Sequence, residues 1–153
     1  MAGKSDTFEN DLLKFIFQNL PITTGIATSD GSTAVQLPAT STAGNLYLAL
    51  HTADPGDAGN QTTSEISYTG YARVAVARTS GAWVVTNNSV SPAAAIDFPE
   101  MTGGAGGTAT HVSVGTAASG AGKILYSGEL TPTIAVATGV IPRIKTTSTI
   151  TES

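Results

Sequence analysis

The sequence predicts an all-β fold: an antiparallel jelly-roll-like sandwich preceded by one N-terminal amphipathic helix and an extended arm. Three observations predict it. From Leu46 onward apolar and polar residues alternate with period two, the alternating runs are short, and Gly, Pro and Asn separate them. Helical spacing is confined to the first twenty or so residues. The expected organisation is therefore residues 1–44 as helix and arm, and 45–153 as the β-sandwich domain.

The helix is read over residues 6–20, DTFENDLLKFIFQNL. Asp6 is a good N-cap, and Glu9 three residues later has capping-box spacing. Phe8, Leu12, Phe15 and Ile16 recur at intervals of three and four, and Leu13, Phe17 and Leu20 widen the stripe. Pro21 ends it, because proline supplies no amide hydrogen and restricts the residue before it. Burying one such side chain is worth roughly 1.5–3 kcal/mol, so this face must dock either on its own domain or on a partner. Residues 22–44 lack a clear period and read as an extended arm or long surface loop, with TAVQL as a short strand.

The strands follow in order. LYLALHT puts Leu46, Leu48 and Leu50 on one face, with Tyr47, Ala49 and His51 opposite. YARVAVAR sets Ala72, Val74 and Val76 against Tyr71, Arg73 and Ala75. AWVV follows the Ser80-Gly81 turn, and TNNS separates it from VSPAAAIDF, where Ala94, Ile96 and Phe98 share a face. After the Gly-rich TGGAGG loop, THVSVG, KILYSGEL, TIAVA and STIT complete the set. About eight strands suit a jelly roll, which limits exposed edges by folding into two sheets.

Composition narrows the function. The chain has 153 residues, enough for one domain, and only 12% are charged, about half the usual ~25%. Ser, Thr, Ala, Gly and Asn take their place, so little charge keeps like molecules apart and association is expected. A net charge of −4 with scattered Lys4, Lys14, Arg73, Arg78, Lys123, Arg143 and Lys145 offers no phosphate-neutralising stripe, hence no nucleic acid. There is no cysteine, so no disulfide or thiolate chemistry. MAGKSDTFEND is too acidic for a signal peptide, and no run approaches the ~20 apolar residues of a membrane helix. The expectation is a protein made in the cytoplasm of the producing cell, without a membrane partner.

The candidate sites dissolve into structural chemistry. His51, Asp54 and Asp57 lie beside ADPGDAGN, a segment dense in turn formers, and the only other histidine is His111 on another strand. No G-x-S-x-G is present, and Asp97, Glu100 and Glu129 lack a context that pairs carboxylates for glycoside hydrolysis. GGAGG at 103–107 has neither the strand nor the helix of a phosphate loop. No enzyme, cofactor or metal is expected. Tyr47, Tyr68, Tyr71 and Trp83 suit packing, a protein interface or sugar stacking. The residues selected for partner binding are Phe8, Leu12, Phe15, Ile16, Tyr47 and Tyr71.

NLYLALHTADPGDAG, EISYTGYARVAV, AIDFP, THVSVG and GAGKILYSGEL, taken in order from Asn45 to Leu130, resemble a family of small tailed-phage structural proteins. Its members are frequently labelled tail fibre protein, and some are jelly-roll head decoration, or cement, proteins. L-x-x-x-L-H-T-A-D-P-G and Y-x-G-Y-A-R are the most specific segments. The resemblance implies a virion protein on the capsid exterior that binds and stabilises the major capsid protein shell. The low charge makes a homo-oligomer the expectation, with a dimer favoured over a trimer because two-fold association is the commonest. A tail fibre or spike module binding host-surface glycan is the alternative, and no catalytic or metal residue is implied.

Overall fold

The computed structural model describes residues 3–28 and 34–153. One helix, α1 (Asp6–Gln18), precedes the strands β1 (Ile22–Thr28), β2 (Ala34–Leu37), β3 (Asn45–His51), β4 (Val74–Ala77) and β5 (Trp83–Thr86). Then come β6 (Ser89–Pro92), β7 (Ile96–Asp97), β8 (Gly107–Gly115), β9 (Ile124–Val136), β10 (Arg143–Ile144) and β11 (Ile150–Thr151). The strand orders are β1-β2, β10-β7, β11-β6-β5 and β4-β3-β8-β9. The pairs β1–β2, β7–β10, β6–β11, β3–β8, β5–β6 and β8–β9 are antiparallel. The fold is therefore mostly β and antiparallel with a single N-terminal helix, and these orders are consistent with a jelly roll.

The chain forms two compact units. One gathers Met1–Gly44, Ala77–Ala94 and Thr146–Ser153; the other gathers Asn45–Val76 and Ala95–Lys145. The 44/45 division read from the sequence is one of the crossings. The first unit also takes β5 and β6, on which α1 packs, and β11, which pairs with β6. Leu13 and Phe17 are fully buried on the inner stripe of α1, and the Phe17 ring meets Trp83 edge-on with centroids 4.8 Å apart. Gln18 Nε2 donates to the Trp83 carbonyl at 2.8 Å, and Asn10 Nδ2 to that of Asn87 at 2.7 Å. β5 and β6 turn back through Asn87-Asn88, with Asn87 at φ +53, a left-handed position that asparagine tolerates.

The arm is not a long loop. β1 and β2 pair as a ribbon, Ile22 opposite Leu37 and Thr28 opposite Ala34; residues 29–33 of the expected arm lie outside the described residues. The cap also lies one residue earlier than expected, at Ser5, and Asp6 is the first helical residue. Ser5, in extended conformation, accepts from Phe8 N–H at 3.4 Å, and Glu9 is turned into the buried stripe instead of reaching back to a cap. At the other end Asn19 enters the left-handed region at φ +53, so the helix stops at Gln18, short of Leu20.

In the second unit β3 is central and buried on both faces: Leu46, Leu48 and Leu50 on one, Ala49 and His51 on the other. Alternation predicted one covered face only. On the second face the His51 ring reaches Thr63 O and Ser113 Oγ, each at 2.8 Å, and Glu65 bridges back to the β3 backbone. Of YARVAVAR only Val74–Ala77 is strand. Tyr71 N–H bonds the Tyr68 carbonyl across a turn whose Gly70 has φ +100. KILYSGEL and TIAVA, expected as two strands, are one thirteen-residue strand. β9 absorbs Thr131-Pro132 in a bulge, since His111 pairs with Glu129 and Ala109 with Ile134, leaving 130–133 opposite Thr110. An edge strand tolerates that proline because its missing donor can face away from the ladder.

Gln61 plugs the unit. Its Nε2 donates to Tyr47 O at 3.0 Å, its Oε1 accepts from Ala117 N–H at 3.0 Å, and its own N–H bonds Gly122 O at 2.9 Å. A Cβ on Gly115 or Gly122 would run into this amide. Gly115→Ala should therefore cost about 1–3 kcal/mol, the usual range for overpacking. Urea unfolding checks it, and wild-type stability in that variant would refute the plug.

Candidate partner-binding surface

The six residues selected from sequence separate between the units. Phe8, Leu12, Phe15 and Ile16 share α1; Tyr47 and Tyr71 belong to the unit built on β3. The inner stripe of α1 is Glu9, Leu13 and Phe17. The four selected helix residues lie off that stripe. Phe8 is 36% exposed, Leu12, Phe15 and Ile16 are half-buried, and Leu20 just beyond is 42% exposed. The helix thus carries apolar residues on more of its circumference than its own unit covers.

Its C-terminal end is held rigidly. Arg78 donates from Nε to Ile16 O at 2.6 Å, from Nη2 to Phe15 O at 2.6 Å and from Nη1 to Ala43 O at 3.3 Å. A cation on the last carbonyls of a helix meets the negative end of its dipole. Asn19 adds a clamp: Nδ2 donates to Thr40 O at 2.9 Å, while Oδ1 accepts from Thr40 N–H at 3.0 Å and Thr40 Oγ1 at 2.8 Å. Sequence inspection missed Arg78, and a lone arginine far from the helix carries no local signal for this role.

Tyr71 is an anchor within its own unit. Its hydroxyl accepts from Leu50 N–H at 3.1 Å and donates to Glu65 Oε1 at 2.9 Å. Its ring meets Tyr68 edge-on at 5.2 Å and stacks parallel to Phe98 at 6.3 Å. Burial pushes its phenol well above the usual value. Beside it Arg73, whose side chain is 3% exposed, binds Glu65 through two bonds of 2.7 Å and donates to Ala117 O at 3.0 Å and Gly120 O at 2.8 Å. The Glu65 carboxylate beside it holds its guanidinium even more firmly protonated. Tyr68 donates to Pro99 O at 2.8 Å, and Tyr47 is half-buried. Trp83 and Tyr68 are buried, so neither ring face is open to a sugar.

The segment after β3 is held as a series of turns. Asp54 Oδ1 accepts from Gly56 N–H at 2.9 Å, and Asn60 Oδ1 accepts from Thr62 N–H at 2.9 Å and from Thr62 Oγ1 at 2.6 Å. His51 is fully buried, with Nδ1 2.8 Å from Thr63 O and Nε2 2.8 Å from Ser113 Oγ. A carbonyl only accepts, so Nδ1 carries the proton and the serine hydroxyl donates to Nε2. Among the described residues no three His, Asp or Glu side chains are grouped to hold a metal ion, and no helix is long and apolar enough to cross a membrane. Asp97 is exposed and paired with Arg143, which holds its carboxyl below the usual range.

A family model described as podophage GP4 fiber I protein gp80 matches residues 31–152. No curated protein matches the chain. The matched stretch covers most of the sequence, and the chain belongs to that family of phage virion structural proteins. The match begins after α1 and includes His51, Gln61, Glu65, Tyr71 and Arg73, the residues that bind the turn segment to β3.

Two outcomes follow from this geometry. Arg73→Met leaves Glu65 without its partner in a mostly buried setting, which should cost about 3–5 kcal/mol; adding Glu65→Leu should recover much of that in chemical unfolding. Burial lowers the His51 pKa below its ordinary 6.5, so the unfolded chain takes up the proton first. The neutral imidazole therefore contributes stability above pH ~6.5 that is lost as pH falls from there through its folded value. Unfolding midpoints from pH 7.5 to 4.5 should show this decline, reduced in His51→Gln.

Proposed function

We propose that this chain is a non-catalytic structural subunit, built into the phage particle by protein–protein docking through the outer face of α1. One observation carries the reading: α1 satisfies its own unit with Leu13 and Phe17 and leaves Phe8, Leu12 and Leu20 at least partly open. A rigidly capped helix offering apolar side chains is a groove-filling element, read by anchors at i, i+4 and i+7. The family's description names a fibre, which supports a place in the fibre apparatus. Its partner would be another virion protein, since of the aromatic residues that suggested glycan stacking Tyr68 and Trp83 are buried, Tyr71 is bonded within its own unit and Tyr47 is half-buried.

Capsid decoration is the second reading, with the major capsid protein as partner on the particle exterior. Low charge favours it, at 12% of residues in a hydroxyl-rich chain, because copies repeated over a shell must sit close without repelling. Copy number separates the two: a few copies labelled at the tail support the fibre, and hundreds over the head support decoration.

Phe8→Asp with Leu12→Asp should lower incorporation into particles at least tenfold, about 1.4 kcal/mol or more of docking free energy, while circular dichroism stays that of the wild type. Full incorporation of the folded double variant sinks the docking surface. Deleting the helix is the poorer test, since it removes Leu13 and Phe17 from around Trp83.

A further inference from the structure

Residues 52–65 leave the end of β3 and return to it as a strap that buries almost nothing apolar: of these fourteen positions only Pro55 and Gln61 are buried. The ties of the strap are polar. Thr52 N–H donates to Ser64 O at 2.8 Å, Gln61 N–H to Gly122 O at 2.9 Å, and the His51 ring holds Thr63 O at 2.8 Å. β3 has a ladder of its own, with Tyr47 to His51 opposite Gly115 to His111 of β8, and β8 pairs in turn with β9. A segment held by polar bonds with little apolar burial opens at a lower free energy than a paired central strand.

Of these ties only that of His51 carries a group that titrates near neutrality. The ring is fully buried and uses both nitrogens in its neutral form, Nδ1 on Thr63 O and Nε2 on the Ser113 hydroxyl. A proton on Nε2 turns that hydroxyl around, and its hydrogen, equally buried, loses its acceptor. The new charge also meets no free counter-ion. Glu65, which bridges to His51, already takes two bonds of 2.7 Å from Arg73 and one of 2.9 Å from Tyr71. Arg73 is itself a cation, His111 opposite His51 on β8 adds another when it protonates, and Glu129 lies one strand further away, opposite His111. We propose that residues 52–65 are an acid-released strap: a proton on His51 detaches the segment from β3 while the β3–β8–β9 ladder stays paired. The closed strap holds the ring away from water and disfavours its charged form, so the open strap binds the proton more tightly. Opening is therefore favoured as pH falls below about 6.5, the ordinary value of an imidazole.

Amide hydrogen exchange, with each rate divided by that of an unstructured chain at the same pH, separates release of the strap from loss of the fold. Between pH ~7 and ~5.5 the opening seen at the Thr52 and Gln61 amides should rise at least about threefold, under a ceiling of about tenfold set by one ordinary imidazole. The Val112 and Val114 amides of β8 should change by less than about 1.5-fold over the same range. His51→Gln keeps a neutral side chain in place, so exchange from its strap should no longer depend on pH, whatever its level. His111→Gln should keep the wild-type response, and with the wild type it decides the matter if His51→Gln does not fold. Strap exchange independent of pH in the wild type, β8 amides opening in step with the strap, a response that persists in folded His51→Gln, or one lost in His111→Gln would each overturn the proposal.

Discussion

A guanidinium taken out of water must have its donors met, and Arg73 meets this demand by gathering distant pieces of chain around itself. Glu65 neutralises it, and the carbonyls of Ala117 and Gly120 take further donors. Through Glu65 the bond network continues to the Tyr71 hydroxyl and on to the Leu50 amide. Segments far apart in sequence are thus fixed against β3 by polar contacts in a place with little water to compete. Breaking any one of them strands a partner, which is why the turn after His51, rich in Asp, Asn and Gly, still has a defined shape.

That constraint alters how the motifs are understood. Tyr68, Gly70, Tyr71 and Arg73 form a run that suggests recognition, yet each serves the interior. Tyr68 bonds the Pro99 carbonyl, Gly70 supplies a positive φ, and Tyr71 and Arg73 close around Glu65. They lie within the stretch matched to the podophage family. The recognisable signature of the chain is thus that of its scaffold; of the exposed large apolar side chains, Phe8 and Leu20 precede the matched stretch and Val84 and Ile141 lie within it.

Much of the fold was legible in the sequence because period two and period 3.6 are backbone properties that survive any tertiary context. The helix, β3, β5, β8 and the Asn87-Asn88 turn follow from them. Three things were not legible. β9 runs through Thr131-Pro132 because a bulge absorbs extra residues, and nothing local announces a bulge. The cap moved from Asp6 to Ser5, since either residue can accept the bond and packing of Glu9, Leu13 and Phe17 sets the phase. The split of the apolar helix residues into an inner stripe and an outer face depends on where Trp83 lies, far along the chain from α1. Of the selected surface, Phe8 and Leu12 stand where a partner can reach them, while Tyr71 has an inward role that no pattern of spacing reveals.

The grip of Arg78 on α1 has a mechanical side. Three donors on one planar group hold the carbonyls of Phe15, Ile16 and Ala43 together. A pull applied to the helix by a moving virion is therefore shared between the covalent link at residues 19–21 and this fork, and several bonds must rupture together before the element peels away. Lysine, a point charge on a flexible stem, would let them go one at a time.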